Sequence, residues 1–121
     1  MDSRARAFKI PGDHIRQVIP STGACYASDR ITVDGAPVGY MYRERPDNDT
    51  DSGWRFFAGD ESQEYANDST RLAIYDVNTI CNYDPAIIAF LDAPFESAFG
   101  RVAGTDRFEP EAIERPDDAE A

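Results

Sequence analysis

Two short segments with alternating side chains place the strongest constraint on how this chain folds. In residues 38–43, the side chains of Val38, Tyr40 and Tyr42 fall on one face of an extended strand. After a polar loop, the apolar side chains of residues 54–58 alternate in the same way. Because side chains in a strand repeat with a period of two, both segments predict neighbouring antiparallel strands in a sheet covered on one face.

A hairpin is predicted whose second strand is the segment at residues 38–43. Residues 24–28 and 31–33 have the composition of strands, and the pair Asp34 and Gly35 is a turn signal. The chain from residue 24 to residue 58 is therefore expected to form a three-stranded antiparallel meander.

Later segments add further strands and the helices. Strands are predicted at residues 72–75 and 97–102, the second of them short and at an edge of the sheet. Helical segments are predicted at residues 60–66, in a single turn at 78–83, and at 84–91. In the last segment Asp84 precedes a proline as an N-cap, and Ile87, Ile88 and Leu91 form the buried stripe. The predicted fold class is α+β, a small antiparallel meander of about four to five strands packed with two or three short helices.

The length of 121 residues favours one hydrophobic core. We predict a lead-in segment at residues 1–22 with at most one helical turn, and a single α+β domain at residues 23–108. From Glu109 onward apolar residues almost vanish, so residues 109–121 are predicted to be a disordered acidic tail whose removal costs no stability.

The core is expected to contain Trp54 and Phe56. Arg55 points to the opposite face of the same strand and therefore needs a partner or water. Cys25 and Cys81 are predicted to be buried free thiols, because a reducing compartment disfavours a disulfide and no CxxC spacing is present.

Charge limits the classes of partner. With 12 basic and 23 acidic residues, the formal net charge is -11, which would repel nucleic acid and anionic membranes. A cationic protein partner is favoured, and the alternative is that the charge only maintains solubility. The sequence has no apolar run of the roughly 18–20 residues that cross a bilayer, and residues 1–10 lack the apolar region of a secretory signal. We therefore expect the protein in the cytoplasm.

Motifs for catalysis or cofactors are weak. His14 is the single histidine, and no phosphate-binding glycine loop or nucleophile elbow is present, so no cofactor and no metal are predicted. Residues 47–53 alternate oxygen ligands as a calcium loop does. The sixth and twelfth positions, which need glycine and glutamate, hold Ser52 and Ala58, so a solvated loop is favoured.

Partner-binding residues are predicted on two polar-aromatic segments, because tryptophan and arginine with adjacent acids are typical of binding hot spots. The candidates are Arg55, Asp60, Glu61, Glu64, Tyr75, Asp76 and Asn78. Helical spacing would bring Asp60 and Glu64 together, with Glu61 beside them, as a carboxylate patch.

The segments at residues 28–35, 38–43, 53–62 and 74–85, the last ending in Asn-Tyr-Asp-Pro, together resemble a bacterial family. This family, formerly a domain of unknown function, is grouped as immunity protein thirty-three. The resemblance covers about residues 23–101. It implies a compact α+β domain that binds and neutralises a toxin domain of a polymorphic toxin system, and therefore a protein that is not an enzyme.

Two other classes of function stay open. One is a small cytoplasmic enzyme, or a metal- or ligand-binding domain, that uses a carboxylate-amide cluster of Asp60, Glu61, Asp76 and Asn78. The other is a regulatory or scaffold domain with no toxin partner. A secreted toxin encoded by the neighbouring gene would favour the immunity function.

Overall fold

The computed structural model describes residues 7–113, and its centre is a six-stranded mixed sheet. The strands are β1 (Ala24–Ser28), β2 (Tyr40–Arg43), β3 (Asp51–Phe57), β4 (Leu72–Asp76), β5 (Ser97–Arg101) and β6 (Phe108–Pro110). The α-helices are α1 (Asp29–Thr32), α2 (Gln63–Ala66) and α3 (Val77–Tyr83), and 3-10 helices lie at Gly12–His14, Ser69–Arg71 and Pro85–Phe90. The strand order is β4-β1-β3-β2-β5-β6. The α+β class is confirmed, with more strands than predicted.

The predicted meander is wrong, because β1 does not pair with β2. β3 lies between them, parallel to β1 and antiparallel to β2. Residues 31–33, expected to lie in the first strand of the hairpin, form instead the end and the C-cap of helix α1, because the Ser28 hydroxyl accepts the Arg30 N–H at 3.0 Å and caps a helix. Gly35, at a φ of 81°, donates its N–H to Ile31 O at 3.1 Å. The Asp-Gly pair therefore closes a helix rather than joining two strands.

The antiparallel pairing of β2 with β3 is confirmed. The strand predicted at residues 72–75 is also confirmed, as β4. β5 was predicted at an edge but lies between β2 and β6. Since β6 is only three residues long, its composition carried too little signal to show that it covers β5.

The helices differ from the prediction in length, in type and in which residues they bury. Residues 78–83 belong to the seven-residue helix α3 rather than to a single turn. The Asp84 cap is confirmed, since its side chain accepts the Ala86 N–H at 3.2 Å, but the helix that follows is 3-10. Successive residues in a 3-10 helix are about 120° apart, so Ile87 is buried while Ile88 is 38% exposed, against the predicted stripe. No helix in residues 7–113 is long and apolar enough to cross a membrane.

The main core lies on the face of the sheet that carries α1 and α3. Trp54 and Phe56 are both fully buried, with ring centroids 5.8 Å apart and nearly parallel planes. Cys25 and Cys81 are buried in the same cluster as free thiols, as predicted. Burial raises the pKa of Cys81 to about 11, so the neutral thiol is its state at neutral pH.

The opposite face of the sheet is also partly covered, so the expectation of one covered face is wrong. Tyr42, Phe57 and Ala98 are buried there, and the rings of Tyr42 and Phe57 stack at 6.2 Å. Val38 belongs to the main core rather than to the face of Tyr40, because β2 begins only at Tyr40.

The sheet continues past the composition break at Glu109. β6 crosses this position, Glu111 N–H bonds to Ala98 O at 2.9 Å, and Ile113 packs against the cluster of Tyr42 and Phe57. Charged residues at an exposed strand edge are compatible with pairing, because only the backbone needs a partner. The division into three segments stays a prediction, and residues 114–121 lie outside the described residues.

Deleting residues 109–121 is therefore expected to lower the free energy of unfolding by roughly 1–3 kcal/mol more than deleting 114–121 alone. The larger deletion removes the Ile113 packing and the bond from Tyr40 OH to Ala112 O at 3.0 Å. Urea denaturation of the two truncated proteins measures the difference. Equal stabilities would show that residues 109–113 contribute nothing to the fold.

Candidate partner-binding surfaces

Arg55 is a buried structural residue, and its partners lie within the chain. Its side chain is 4% exposed, and it donates to Asp51 through two nitrogens at 2.9 Å each and to Glu44 through Nε at 2.7 Å. Its guanidinium also lies 4.7 Å from the centre of the Tyr26 ring. The predicted need for a partner is met internally, so the Arg55 guanidinium is not available to another molecule.

The hydrogen bonds around Arg55 also lower the pKa of Asp51. Hydrogen bonds from Arg55 hold the pKa of Asp51 well below its usual range, assisted by the backbone N–H groups of Asp47 and Gly53. The carboxylate is therefore charged at all physiological pH values. It is committed to the fold rather than available as a proton donor or acceptor.

The predicted carboxylate patch forms only in part, because α2 starts later than expected. The helix is capped by Ser62, whose hydroxyl accepts the Tyr65 N–H at 3.0 Å, so Asp60 and Glu61 precede it. Asp60 pairs with Arg30 at 2.7 Å. The hydrogen bonds from Arg30 also lower the pKa of Asp60.

Glu61 and Glu64 differ in what they offer a partner. The two carboxylate oxygens of Glu61 accept the N–H groups of Ala58 and Gly59 at 2.8 and 2.9 Å. Glu64 is exposed in the first turn of α2. Of the predicted patch, Glu64 is thus the carboxylate most accessible to a partner.

Tyr75 and Asn78 hold the lead-in segment against the domain. The Tyr75 hydroxyl lies 3.1 Å from Thr32 Oγ1, and its ring meets Phe8 edge-on at 6.0 Å. Asn78 Oδ1 accepts the N–H groups of Val18 and Ile19 at 2.7 and 3.2 Å. The side chain of Asn78 is therefore used in a clamp within the chain.

Asp76 is placed differently. It is exposed at the end of β4 and occupies the N-cap position of α3, but its side chain makes no capping hydrogen bond there. Its carboxylate is therefore accessible to a partner.

The cluster required for the enzymatic alternative does not assemble. In the sheet, Ala24 pairs with Asp76, while Ala27 pairs with Phe56 at the other end of β1. A five-residue strand spans roughly 13 Å, so Asp60 and Glu61 lie at one end of the sheet and Asp76 at the other. The sequence could not reveal this separation, because it depends on whether neighbouring strands run parallel or antiparallel.

In the acidic loop before β3, side-chain oxygens accept hydrogen bonds from backbone N–H groups of the same loop. Asp51 Oδ2 accepts the Asp47 N–H at 2.9 Å, and Asn48 Oδ1 accepts the Thr50 N–H at 2.9 Å. Across residues 7–113, no group of three or more His, Cys, Asp or Glu side chains is placed to hold a metal ion.

Sequence reasoning missed Ile74, which is 63% exposed at the centre of β4. A shallow pocket of about 80 Å³ lies beside it, lined also by Tyr26, Asp47 and Asn48. No signal in the sequence marks Ile74 as exposed, because alternation along a strand does not show which of its faces is covered.

A larger groove of about 340 Å³ lies between α2 and the centre of the sheet. It is lined by Tyr40, Phe57, Glu61, Arg101 and Glu111, among others. The cationic side chain that lines this groove, Arg101, is neutralised by ion pairs with Asp84 and Asp106.

Fold and surfaces together define a small α+β domain with accessible carboxylates and an exposed aliphatic residue on an outer strand. The chain belongs to the immunity protein Imm33 domain family, whose model matches residues 25–110. This match confirms the resemblance seen in the sequence and extends it through β6. The family is one of immunity proteins rather than enzymes. No curated protein and no solved structure matches the chain.

Proposed function

We propose that this protein binds a basic toxin domain of a bacterial polymorphic toxin system in the cytoplasm and neutralises it by covering its active surface. The observation that carries the proposal is membership of the immunity protein family over residues 25–110. An antidote of this kind works by tight binding, so its side chains need to fit a partner surface and need not perform chemistry.

The distribution of charge supports a basic partner. Several of the 23 acidic side chains are engaged by the fold, including Asp51, Asp60 and Asp84. Others are exposed, among them Asp49, Glu64 and Asp76. Exposed charge of one sign accelerates the encounter with an oppositely charged protein.

The expected result is salt-sensitive binding to the toxin encoded by the adjacent gene. Raising the salt from about 0.05 M to 0.5 M should lower the association rate by tenfold or more while changing the dissociation rate little, because screening acts mainly on the encounter. Stopped-flow or surface-based kinetics gives both rates, and co-expression in cells tests protection against the toxin.

Two results would contradict the proposal. If the wild-type protein neither binds the adjacent toxin nor protects cells from it, the immunity function fails for that pair. If it binds at the same rate at both salt concentrations, the partner is not selected by charge, and the basic character of the toxin is wrong.

A further inference from the structure

We propose that the toxin docks on the outer edge of the sheet at β4. The docking surface, called here the Ile74 surface, consists of Ile74, Tyr26, Asp76 and the loop at residues 47–51. The occupant is a basic segment of the toxin in which an aliphatic or aromatic side chain is flanked by lysine or arginine. This inference rests on the proposed function and specifies where on the molecule it is carried out.

The two edge strands of the sheet differ in length and composition. Among residues 7–113, β1 is the one strand that pairs with β4, and β6 lies at the opposite edge. β6 is three residues long and ends in Pro110, both of which are usual devices against unwanted pairing. β4 has five residues in regular register with β1 and contains no proline or lysine. Ile74 lies at the middle of this strand and is exposed.

Ile74 supplies the apolar centre of the surface. Its exposed fraction of 63% is the highest among the large hydrophobic residues that the structure leaves exposed in residues 7–113. It pairs across the sheet with Tyr26, whose ring is backed by the Arg55 guanidinium at 4.7 Å. A partner therefore meets a rigid aromatic ring and an open aliphatic side chain next to a pocket of about 80 Å³. Apolar centres of this kind contribute most of the binding energy in interfaces.

Carboxylates surround this apolar centre. Asp76 ends β4, and Asp47 lines the pocket with Ile74, while Asp49 is exposed in the same loop. An acidic rim around an apolar centre matches a partner with the inverse pattern, an apolar side chain between cations. A second copy of this chain is disfavoured as the occupant, because each copy has a net charge of -11 and would bring the same carboxylates together.

Two substitutions test the surface without disturbing the core. Ile74→Thr keeps a β-branched side chain on the strand and removes the apolar contact, and Asp76→Lys reverses one rim charge. Binding to the toxin of the adjacent gene is measured by kinetics, and folding is checked by circular dichroism and thermal unfolding. We expect Ile74→Thr to raise Kd at least tenfold, mainly through faster dissociation. Asp76→Lys should slow association severalfold at low salt, since exposed charges act on the encounter.

Matched controls are available elsewhere on the chain. Ile88→Thr makes the same change at an isoleucine that is 38% exposed in the 3-10 helix Pro85–Phe90. Glu109→Lys makes the same change of charge at an exposed residue of β6, at the opposite edge of the sheet. Glu64→Lys probes the exposed carboxylate of α2. All three variants are expected to dissociate from the toxin at the wild-type rate, and the two charge reversals should slow association less than Asp76→Lys does.

The possible outcomes separate this inference from the proposed function. Wild-type affinity in a folded Ile74→Thr protein would overturn the Ile74 surface and leave the immunity function standing, as would a loss confined to Glu64→Lys. Absence of binding and protection by the wild type would overturn both. A wild-type dimer that dissociates on Ile74→Thr in analytical ultracentrifugation would assign the edge to self-association and overturn the toxin as its occupant.

Discussion

Replacing Trp54 with alanine is expected to lower the free energy of unfolding by about 3–5 kcal/mol. The indole is fully buried and stacked on Phe56, and its Nε1 donates to Leu91 O at 3.3 Å. The substitution therefore leaves a large cavity and removes one of the two side-chain hydrogen bonds to Leu91 O, the other coming from Arg43. Since Trp54 is the single tryptophan, urea denaturation should be followed by far-ultraviolet circular dichroism rather than by fluorescence.

Ile88→Ala provides the matched control for this experiment. The Ile88 side chain is 38% exposed, so its truncation is expected to cost only about 0.5 kcal/mol, in the range of surface substitutions. If Ile88→Ala lowered the free energy of unfolding as much as the Trp54 substitution does, Ile88 would have to be a buried residue of the 3-10 helix rather than an exposed one.

Arg55→Met is expected to destabilise the protein by about 3–5 kcal/mol, although methionine has a similar length. The substitution leaves the carboxylate of Asp51, whose side chain is 9% exposed, without the Arg55 guanidinium that neutralises it. Uncompensated charge at such a site costs more than the lost contacts. Urea denaturation at pH 7 measures the effect, and Glu64→Gln at an exposed position serves as the control.

The same network predicts a dependence on pH. The pKa of Asp51 is lower in the folded protein than the value of about 3.9 in an unfolded chain, because Arg55 bonds to the carboxylate. Its stabilisation is therefore fully present above about pH 5 and is lost as the pH falls through the folded pKa. The difference in unfolding free energy between the wild type and Asp51→Asn should be largest near pH 7 and should shrink below about pH 4. A constant difference between about pH 7 and pH 3 would show that Asp51 stabilises the fold without its charge.

Much of the local structure could be predicted from residue patterns. The alternation in residues 38–43 and 54–58 led to the antiparallel pair β2 and β3, and the Asp-Pro pair led to the cap at Asp84. Burial of Trp54 followed from the same alternation. These features depend on neighbours a few residues apart, for which strand and cap geometry are direct guides.

The candidate site was less predictable, because exposure depends on what lies across the sheet. Asp76 and Glu64 are exposed, whereas Arg55 and Asn78 are used inside the chain. Arg55 in particular has the composition of a hot-spot residue, and only its contacts with Asp51 and Glu44 show that it is structural.

The sequence by itself determined the α+β class, the acidic character, the buried thiols and the family to which the chain belongs. The tertiary structure alone decided that β3 enters between β1 and β2, that α1 interrupts the expected hairpin, and that β4 forms an edge with Ile74 exposed. The physical reason is that periodicity specifies which faces of a strand are apolar but not which strand becomes its neighbour. That choice is made by the packing of the whole chain, and it places Asp60 and Asp76 at opposite ends of the sheet.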